Sequence, residues 1–382
     1  MYITSTIKYI GVKDNDIDLF EGQYRVPKGV LYNSYVIFDE KIAIMDTVDA
    51  RKGNEWWNNL NEALDGRTPD YLVVQHMEPD HSSLIAEVME RFPSLKVVAS
   101  AIAIKMMPQF FCEPDFQSRT IAVKEGDTLS LGSRELTFVA APMVHWPEVI
   151  LSYDSKEKIL FSADAFGTFG ETFEEGWDNE ARRYFLNIVG KYGTQVQTLL
   201  KKAATLDIAT ICPLHGPVLK ENLGHYIALY DTWSSYRPET DGVFVAYASI
   251  YGGTAKVALK IADSLRSLGV EVITADLARC DASEALANAF RMSRMVLCAS
   301  TYDAGVFPPM QHFLHHLKMK NFQSRRVALV ENGSWAPTAG RVMRSMLEEM
   351  KNIEIVEPVV TIKSRMKAED AAAIEALVKS MQ

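Results

Sequence analysis

The sequence predicts an α/β protein of two domains, and three observations carry that reading. The chain is 382 residues long, too long for one typical domain. From residue 243 onward apolar strand-like runs alternate strictly with amphipathic helical runs, the pattern of a doubly wound parallel sheet. Before residue 238 short strands dominate, and several of them end on a His, Asp or Glu. The joint is expected in the polar run 233–242, which holds Pro238 and Gly242. That gives domains 1–238 and 241–382.

Bulk properties narrow the class. Hydrophobic residues make up 48% of the chain, enough for a sizeable core, and the net charge of -9 disfavours a nucleic-acid partner. No run reaches the ~18 continuous apolar residues of a membrane span, and the N-terminus has no signal-peptide pattern. Cys112, Cys212, Cys280 and Cys298 form no C-x-x-C pair, so no rubredoxin-type iron site is encoded. Scattered cysteines fit the cytoplasm.

In the first half, strands are expected over 34–38, 41–46, 71–75, 96–100, 135–140 and 159–162, with helices over 53–64 and 82–91. The run 71–74, Tyr-Leu-Val-Val, leads directly into Gln75-His76-Met77-Glu78-Pro79-Asp80-His81. Ligand-type side chains there sit at a strand's carboxyl end, where α/β layers place their chemistry. His76, Glu78 and Asp80 alternate, so a turn stiffened by Pro79 can converge them. His145, Asp164 and His215 likewise follow apolar runs, and Pro213 and Gly216 bracket His215 in a sharp loop. A lone His in such a place is usually structural; four such strand ends in one domain point to a shared site. His76, Glu78 and His145 would hold one ion, and Asp80 and His215 a second with His81 as a further candidate, with Asp164 bridging. A nitrogen-and-carboxylate set without thiolate suits iron or manganese, whereas a zinc hydrolase more often draws three His per ion.

In the second half, strands are expected over 243–247, 271–275, 295–299 and 327–330, and helices over 254–268, 283–292, 310–318 and 338–350. The turn Ser249-Ile250-Tyr251-Gly252-Gly253-Thr254 joins a strand to a helix and aims backbone N–H groups and hydroxyls at a phosphate. It is neither G-x-G-x-x-G nor a P-loop. Two later strand ends, with Ser300-Thr301-Tyr302-Asp303-Ala304-Gly305 and Asn332-Gly333-Ser334-Trp335, offer small and aromatic residues as walls for a flat ring. His312, His315 and His316 share a helix face at i, i+3, i+4 spacing, which a solvated surface explains.

The order H-x-E-x-D-H, then His, Asp and P-x-H-G, resembles the metallo-β-lactamase superfamily. Glu78, where its hydrolases usually carry His, resembles the flavodiiron proteins (A-type flavoproteins). So do His-Trp-Pro-Glu around His145, Asp-Ala-Phe-Gly from Asp164, the opening residues 9–22, and Tyr32-Asn33-Ser34-Tyr35. The resemblance implies an N-terminal metallo-β-lactamase-like αββα sandwich and a C-terminal flavodoxin-like doubly wound sheet. It implies iron ligands at His76, Glu78, Asp80, His145, Asp164 and His215, with His81 a ligand in some members and swung aside in others. The family usually spaces the last two more widely, and His225 lies near that distance; His215 is preferred for its P-x-H-G setting.

Residues 241–382 are similar to flavodoxin, which implies FMN. Its phosphate would lie on Ser249, Ile250, Tyr251, Gly252, Gly253 and Thr254. Its ring would lie on Thr301, Tyr302, Asp303, Gly305 and Trp335, with Ser300, Ala304, Asn332, Gly333 and Ser334 beside it. The resemblance further implies two Fe per chain, reduction of O2 to water and/or NO to nitrous oxide, and a separate donor such as rubredoxin. A head-to-tail homodimer or dimer of dimers is also implied. The competing expectations are a zinc hydrolase with a flavodoxin-like module that binds no flavin, which Glu78 opposes, and a flavin carrier whose first domain is a scaffold.

Overall fold

A computed structural model describes residues 1–112, 115, 116, 118–171, 173 and 176–382. The chain divides into two compact units, Met1–Phe185 with Tyr192–Asp231, and Leu186–Lys191 with Thr232–Gln382.

The first unit is built on two sheets. One has six strands in the order Ile7–Tyr9, Tyr35–Ile37, Ala43–Met45, Tyr71–Val74, Lys96–Ser100, Thr120–Val123. The other has five, Thr128–Ser130, Glu135–Ala140, Ile150–Asp154, Ile159–Phe161 and Thr210–Cys212. Ile37, Met45, Val73 and Val98 from the first sheet pack with Phe138, Ile150, Phe161 and Cys212 from the second in one buried core. Tyr71–Val74 is parallel to both neighbours, and Leu72, Val73 and Val74 are wholly buried, which is why this strand reads as an unbroken apolar run. Helix Gly53–Leu64 buries Trp56, Leu60, Ala63 and Leu64, one stripe at helical spacing, and Trp56 Nε1 donates to Ser34 Oγ at 3.0 Å. The helix ends where Asp65 and Gly66 turn left-handed, at φ 47° and 79°. Helices outside and two sheets inside make the expected αββα sandwich.

Two expectations need correction. The helix expected over 82–91 is two helices, Pro79–Ser82 and Ile85–Arg91. Pro79 takes the first helical position, so Asp80 and His81 lie on a helical turn rather than on an extended loop. The strands of this unit are also mostly shorter than expected, because their ends are spent on the site loops.

The second unit holds five parallel strands in the order Glu271–Asp276, Thr240–Ala248, Met292–Tyr302, Gln323–Asn332, Lys351–Ile362, with Gly305–Val306 folded back on the third. Strand order reverses at Thr240–Ala248, so the crevice for a ligand opens at the carboxyl ends there. Val257, Ala258, Ile261, Ala262 and Leu265 form the buried face of helix Gly253–Ser267 against Val243, Val245, Val296 and Val330. The fifth strand and the last helix, Ala371–Ser380, were not anticipated. The strand carries Glu354, Glu357 and Pro358, and much of it is exposed, which removes the apolar alternation that marks a strand. No helix among the described residues is long and apolar enough to cross a membrane.

Ser100 ties a helix end to the site. Its Oγ accepts from Ala103 N at 3.1 Å as the N-cap of helix Ala101–Phe110, and donates to the Glu148 carbonyl at 2.7 Å. Ser100→Ala removes a cap and leaves a buried carbonyl unpaired, so unfolding stability falls by about 1–3 kcal/mol, read from urea denaturation.

Candidate metal and flavin sites

The metal site begins at the end of Tyr71–Val74. Asp46, at φ 55°, accepts from Gln75 N at 2.7 Å and from Gln75 Nε2 at 2.9 Å, which fixes the direction of the next residues. Burial pushes the Asp46 carboxyl up to about 6. His76 is wholly buried, and its Nδ1–H donates to Glu148 Oε1 at 2.8 Å; the same oxygen accepts from Met77 N at 2.9 Å. With the proton on Nδ1, the Nε2 lone pair faces inward.

That lone pair meets carboxylates. His76 Nε2 lies 3.2 Å from both Glu78 Oε2 and Asp164 Oδ2, and His145 Nε2 lies 3.0 and 3.1 Å from the same two oxygens. A second group faces the other Asp164 oxygen. His81 Nε2 and His215 Nε2 are 2.9 Å apart, and stand 3.3 and 3.2 Å from Asp80 Oδ2 and 3.5 and 3.7 Å from Asp164 Oδ1. His215 Nδ1–H donates to the Leu31 carbonyl at 2.8 Å, so its Nε2 is also a lone pair. Asn33 holds this loop by donating to the carbonyls of Pro213 and Gly216, both at 2.8 Å.

Within each group one ligand atom per residue lies within 4.8 Å of the others. Asp80 Oδ1 and Oδ2, Asp164 Oδ1 and His81 Nδ1 are buried without a hydrogen-bond partner among the described residues. Lone pairs pointed at lone pairs need a cation between them, and the nitrogen-and-carboxylate donor set fits a first-row metal pair with Asp164 spanning it. Protonated imidazoles do for these carboxylates what a cation would do. Burial would raise the Asp164 carboxyl, but His76 and His145 hold it well below the usual range. Burial likewise works against Asp80, and His81 and His215 hold it down. Burial pulls the His145 imidazole down, yet Asp164 and Glu78 carry it up to about 9. Three carboxylates are thus kept ionised in a dry pocket.

All seven ligand-type residues singled out in the sequence are brought together. His225 is not: it sits on helix Leu223–Ser234, partly exposed, with its Nε2 3.0 Å from Asp178 Oδ1. Sequence reasoning passed over four residues that shape the site. Asp46 closes the strand expected over 41–46, and a carboxylate at a strand end was its signal, whereas Glu148 lies in the loop between Glu135–Ala140 and Ile150–Asp154, three residues from His145. Tyr32 and Tyr184 lacked one. Tyr184 is fully buried, its ring 5.6 Å from His215, and its hydroxyl has no hydrogen-bond partner among the described residues. A cavity of about 310 Å³, lined by Phe20, Tyr32, Arg51, Glu78 and Asp80, reaches the site from solvent.

The flavin site is a cavity of about 930 Å³ at the carboxyl ends of the second unit's strands. The three anticipated loops line it through Ser249, Ile250, Tyr251, Gly253 and Thr254, through Ser300, Thr301, Asp303 and Ala304, and through Asn332, Gly333, Ser334 and Trp335. Gly252, Tyr302 and Gly305 belong to these loops but stand outside the lining. Gly252 starts the helix at φ 84°, the Tyr302 ring packs 5.8 Å from Phe307, and Gly305 accepts from Thr338 Oγ1. The aromatic wall is therefore Trp335 with Tyr251, whose side chains are 90% and 98% exposed.

Sequence reading missed a fourth wall, residues 363–367 after the last strand. Asn332 pairs with Ser364 twice, Nδ2 to its carbonyl at 3.0 Å and its N–H to Oδ1 at 2.9 Å. That brings the Ser364 carbonyl to 2.3 Å from where a Cβ on Gly253 would stand, so only glycine fits the first turn of the helix. Backbone N–H groups at a helix start, hydroxyls of Ser249 and Thr254, and two bare aromatic rings suit a phosphorylated flavin. His312, His315 and His316 lie on the outer face of helix Pro308–Met319, with His312 and His315 exposed.

The class follows from this geometry: a β-lactamase-type metal domain in one chain with a flavodoxin-type domain. The ODP family beta lactamase profile matches residues 30–216 and the flavodoxin profile residues 245–375. A putative diflavin flavoprotein of Synechocystis is 30% identical over 96% of this chain, and the chain spans 63% of that relative's length. The anaerobic nitric oxide reductase flavorubredoxin of Vibrio vulnificus is 29% identical over 88% of this chain and 70% of its own length. Among solved structures, rubredoxin oxygen:oxidoreductase from Desulfovibrio gigas superposes with a TM-score of 0.93 at 26% identity, covering 100% of this chain and 97% of that one. The Giardia intestinalis flavodiiron protein gives 0.89 at 22% identity, covering 99% and 95%, a likeness of fold.

The chain belongs to the flavodiiron proteins. Its flavodoxin domain implies FMN, and flavodiiron relatives carry their di-iron site in the β-lactamase-like domain.

Glu148→Gln keeps an acceptor for His76 Nδ1 and removes the charge behind it. Iron retention is expected to weaken about 10–100-fold, measured as iron per chain after timed exposure to a chelator, with FMN content as the internal control.

Proposed function

We propose that this chain is a flavodiiron oxidoreductase that reduces O2 to water, NO to nitrous oxide, or both. Electrons enter through FMN from a separate carrier such as rubredoxin. The observation that carries the reading is the pair of imidazole–carboxylate groups sharing Asp164, with no thiolate in either. The names of the relatives, a nitric oxide reductase and a rubredoxin oxygen oxidoreductase, support it.

In this reading His76, Glu78 and His145 would hold one iron and Asp80 and His215 the other, with one oxygen of Asp164 facing each group. The His81 Nε2 is aimed into the second group, and we assign it as a further ligand. When bound, an iron pair and FMN supply the one-electron steps that a multi-electron reduction of a small gas requires. The chain's own residues do the rest. Glu148 and the Leu31 carbonyl keep the Nδ1 protons of His76 and His215 in place, so both rings present Nε2. Phe20 and Tyr32 pack edge-on to His215, at 5.3 and 6.0 Å, and line the approach from solvent. The Tyr184 hydroxyl has no hydrogen-bond partner among the described residues and, because burial makes it hold its proton, could donate a hydrogen bond to a substrate beside His215.

A head-to-tail pair of chains, alone or doubled, would set the FMN of one chain against the iron of its partner. Four free cysteines fit a reducing cytoplasm.

Anaerobically reduced, iron-loaded protein mixed with O2 and with NO in a stopped-flow instrument should reoxidise within seconds with at least one gas, and more slowly once diluted to monomers. Slow reoxidation with both, or a colourless zinc-loaded preparation of hydrolase type, would sink the proposal. Glu78→Ala should halve the iron per chain while leaving FMN bound; loss of FMN instead would contradict the separation of the two sites.

A further inference from the structure

We infer that His312 and His316 form a surface site for one late first-row divalent metal ion, with Cu2+ preferred over Ni2+ and Zn2+. The pair lies in the second unit, whereas both ligand groups described above lie in the first. It depends on neither the iron assignment nor the oxidoreductase reading.

The two histidines are four residues apart on helix Pro308–Met319, which sets them one above the other on a single face. Their rings stand with centroids 4.2 Å apart and planes tilted by 49°. His315 shares the outer side of the helix, but its ring is 6.3 Å from that of His316. Solvation accounts for the exposure of these side chains; the pairing of two of them adds a chemistry that solvation does not use. No hydrogen bond or ion pair engages a ring nitrogen of His312 or His316 among the described residues. Two bare imidazoles on neighbouring turns have the spacing by which a helix chelates a metal. The pair offers neither thiolate nor carboxylate, so water takes the remaining positions, and a nitrogen-and-water set suits tetragonal Cu2+. Mg2+ and Ca2+ call for carboxylate or carbonyl oxygen, which the pair does not supply.

The helix that carries the pair is fixed along its length. Met310, Phe313, Leu314 and Leu317 bury its inner face. Just before it starts, Phe307 N donates to the Ser300 carbonyl at 3.0 Å, and just after it ends, Phe322 N donates to the Leu317 carbonyl at 3.0 Å. The backbone therefore presents both rings already aligned, and only side-chain torsions remain to be ordered, which lowers the cost of binding. An ion bridging His312 and His316 also ties one helical turn to the next. It binds this pairing in the folded helix and not in the open chain, so it stabilises the helix by mass action.

The test uses the FMN-loaded, iron-loaded chain in its oxidised form, at about pH 7.5, where unperturbed imidazoles are mostly neutral. CuCl2 is titrated in and followed by electron paramagnetic resonance, with iron and FMN per chain counted before and after. One Cu2+ per chain should bind, with two nitrogens in its hyperfine pattern. His312→Gln and His316→Gln should each weaken that binding by about 10-fold or more, and His315→Gln should leave it within about 3-fold of the parent. Gln is a better helix former than His, so the helix survives each change. Amide exchange over residues 308–319 should slow when Cu2+ is added to the parent or to His315→Gln, and stay unchanged in the other two variants. Zn2+ should displace Cu2+ only in excess, and Mg2+ not at all. A one-nitrogen signal overturns the inference, as does equal binding by the parent and His312→Gln, or an equal loss in His315→Gln. Loss of iron in step with copper uptake also overturns it, by placing the Cu2+ among the iron ligands.

Discussion

The first unit is organised around a burial that no protein makes without compensation. Glu78, Asp80 and Asp164 are ionised and mostly buried, and the fold answers them with four imidazoles rather than with lysine or arginine. Imidazoles compensate a carboxylate only when charged, yet Glu148 and the Leu31 carbonyl fix two of them with their inner nitrogens bare. The compensation is therefore left for metal ions to complete. Asp164 is the hinge of the arrangement, since each of its oxygens belongs to a different group.

The second unit answers a different constraint. Its cavity must hold a flat, charged ligand. It does so by spending backbone rather than charge at the bottom of the site. Gly253 allows the Ser364 carbonyl to close on the helix start, and the Thr254 and Ser300 hydroxyls meet at 2.8 Å behind it. Charge is kept for the rim, and the aromatic area that would ordinarily be buried is left at the mouth.

How far the sequence alone reached depended on what each residue does locally. The seven ligand-type residues were legible because chemistry-bearing side chains recur where apolar runs stop, and Pro79, Pro213 and Gly216 mark the sharp loops. The flavin loops were legible for the same reason. Tyr184 was not, because its role comes from a helix in a different part of the chain and its neighbours form no motif. Residues 363–367 were hidden by the strand before them, whose exposed Glu354 and Glu357 break the alternation a strand is recognised by. The one-turn helix at Pro79 was hidden because four residues carry too little periodicity to register.

The two hydrogen bonds from Asn33 to the carbonyls around His215 join points 180 and 183 residues apart. Closing so long a loop is entropically slow, and nothing local rewards it until the sandwich has formed. Asp80 and Asp164 meet His215 only at that stage. The complete pair of ligand groups is therefore a property of the closed sandwich and of no single segment of the chain.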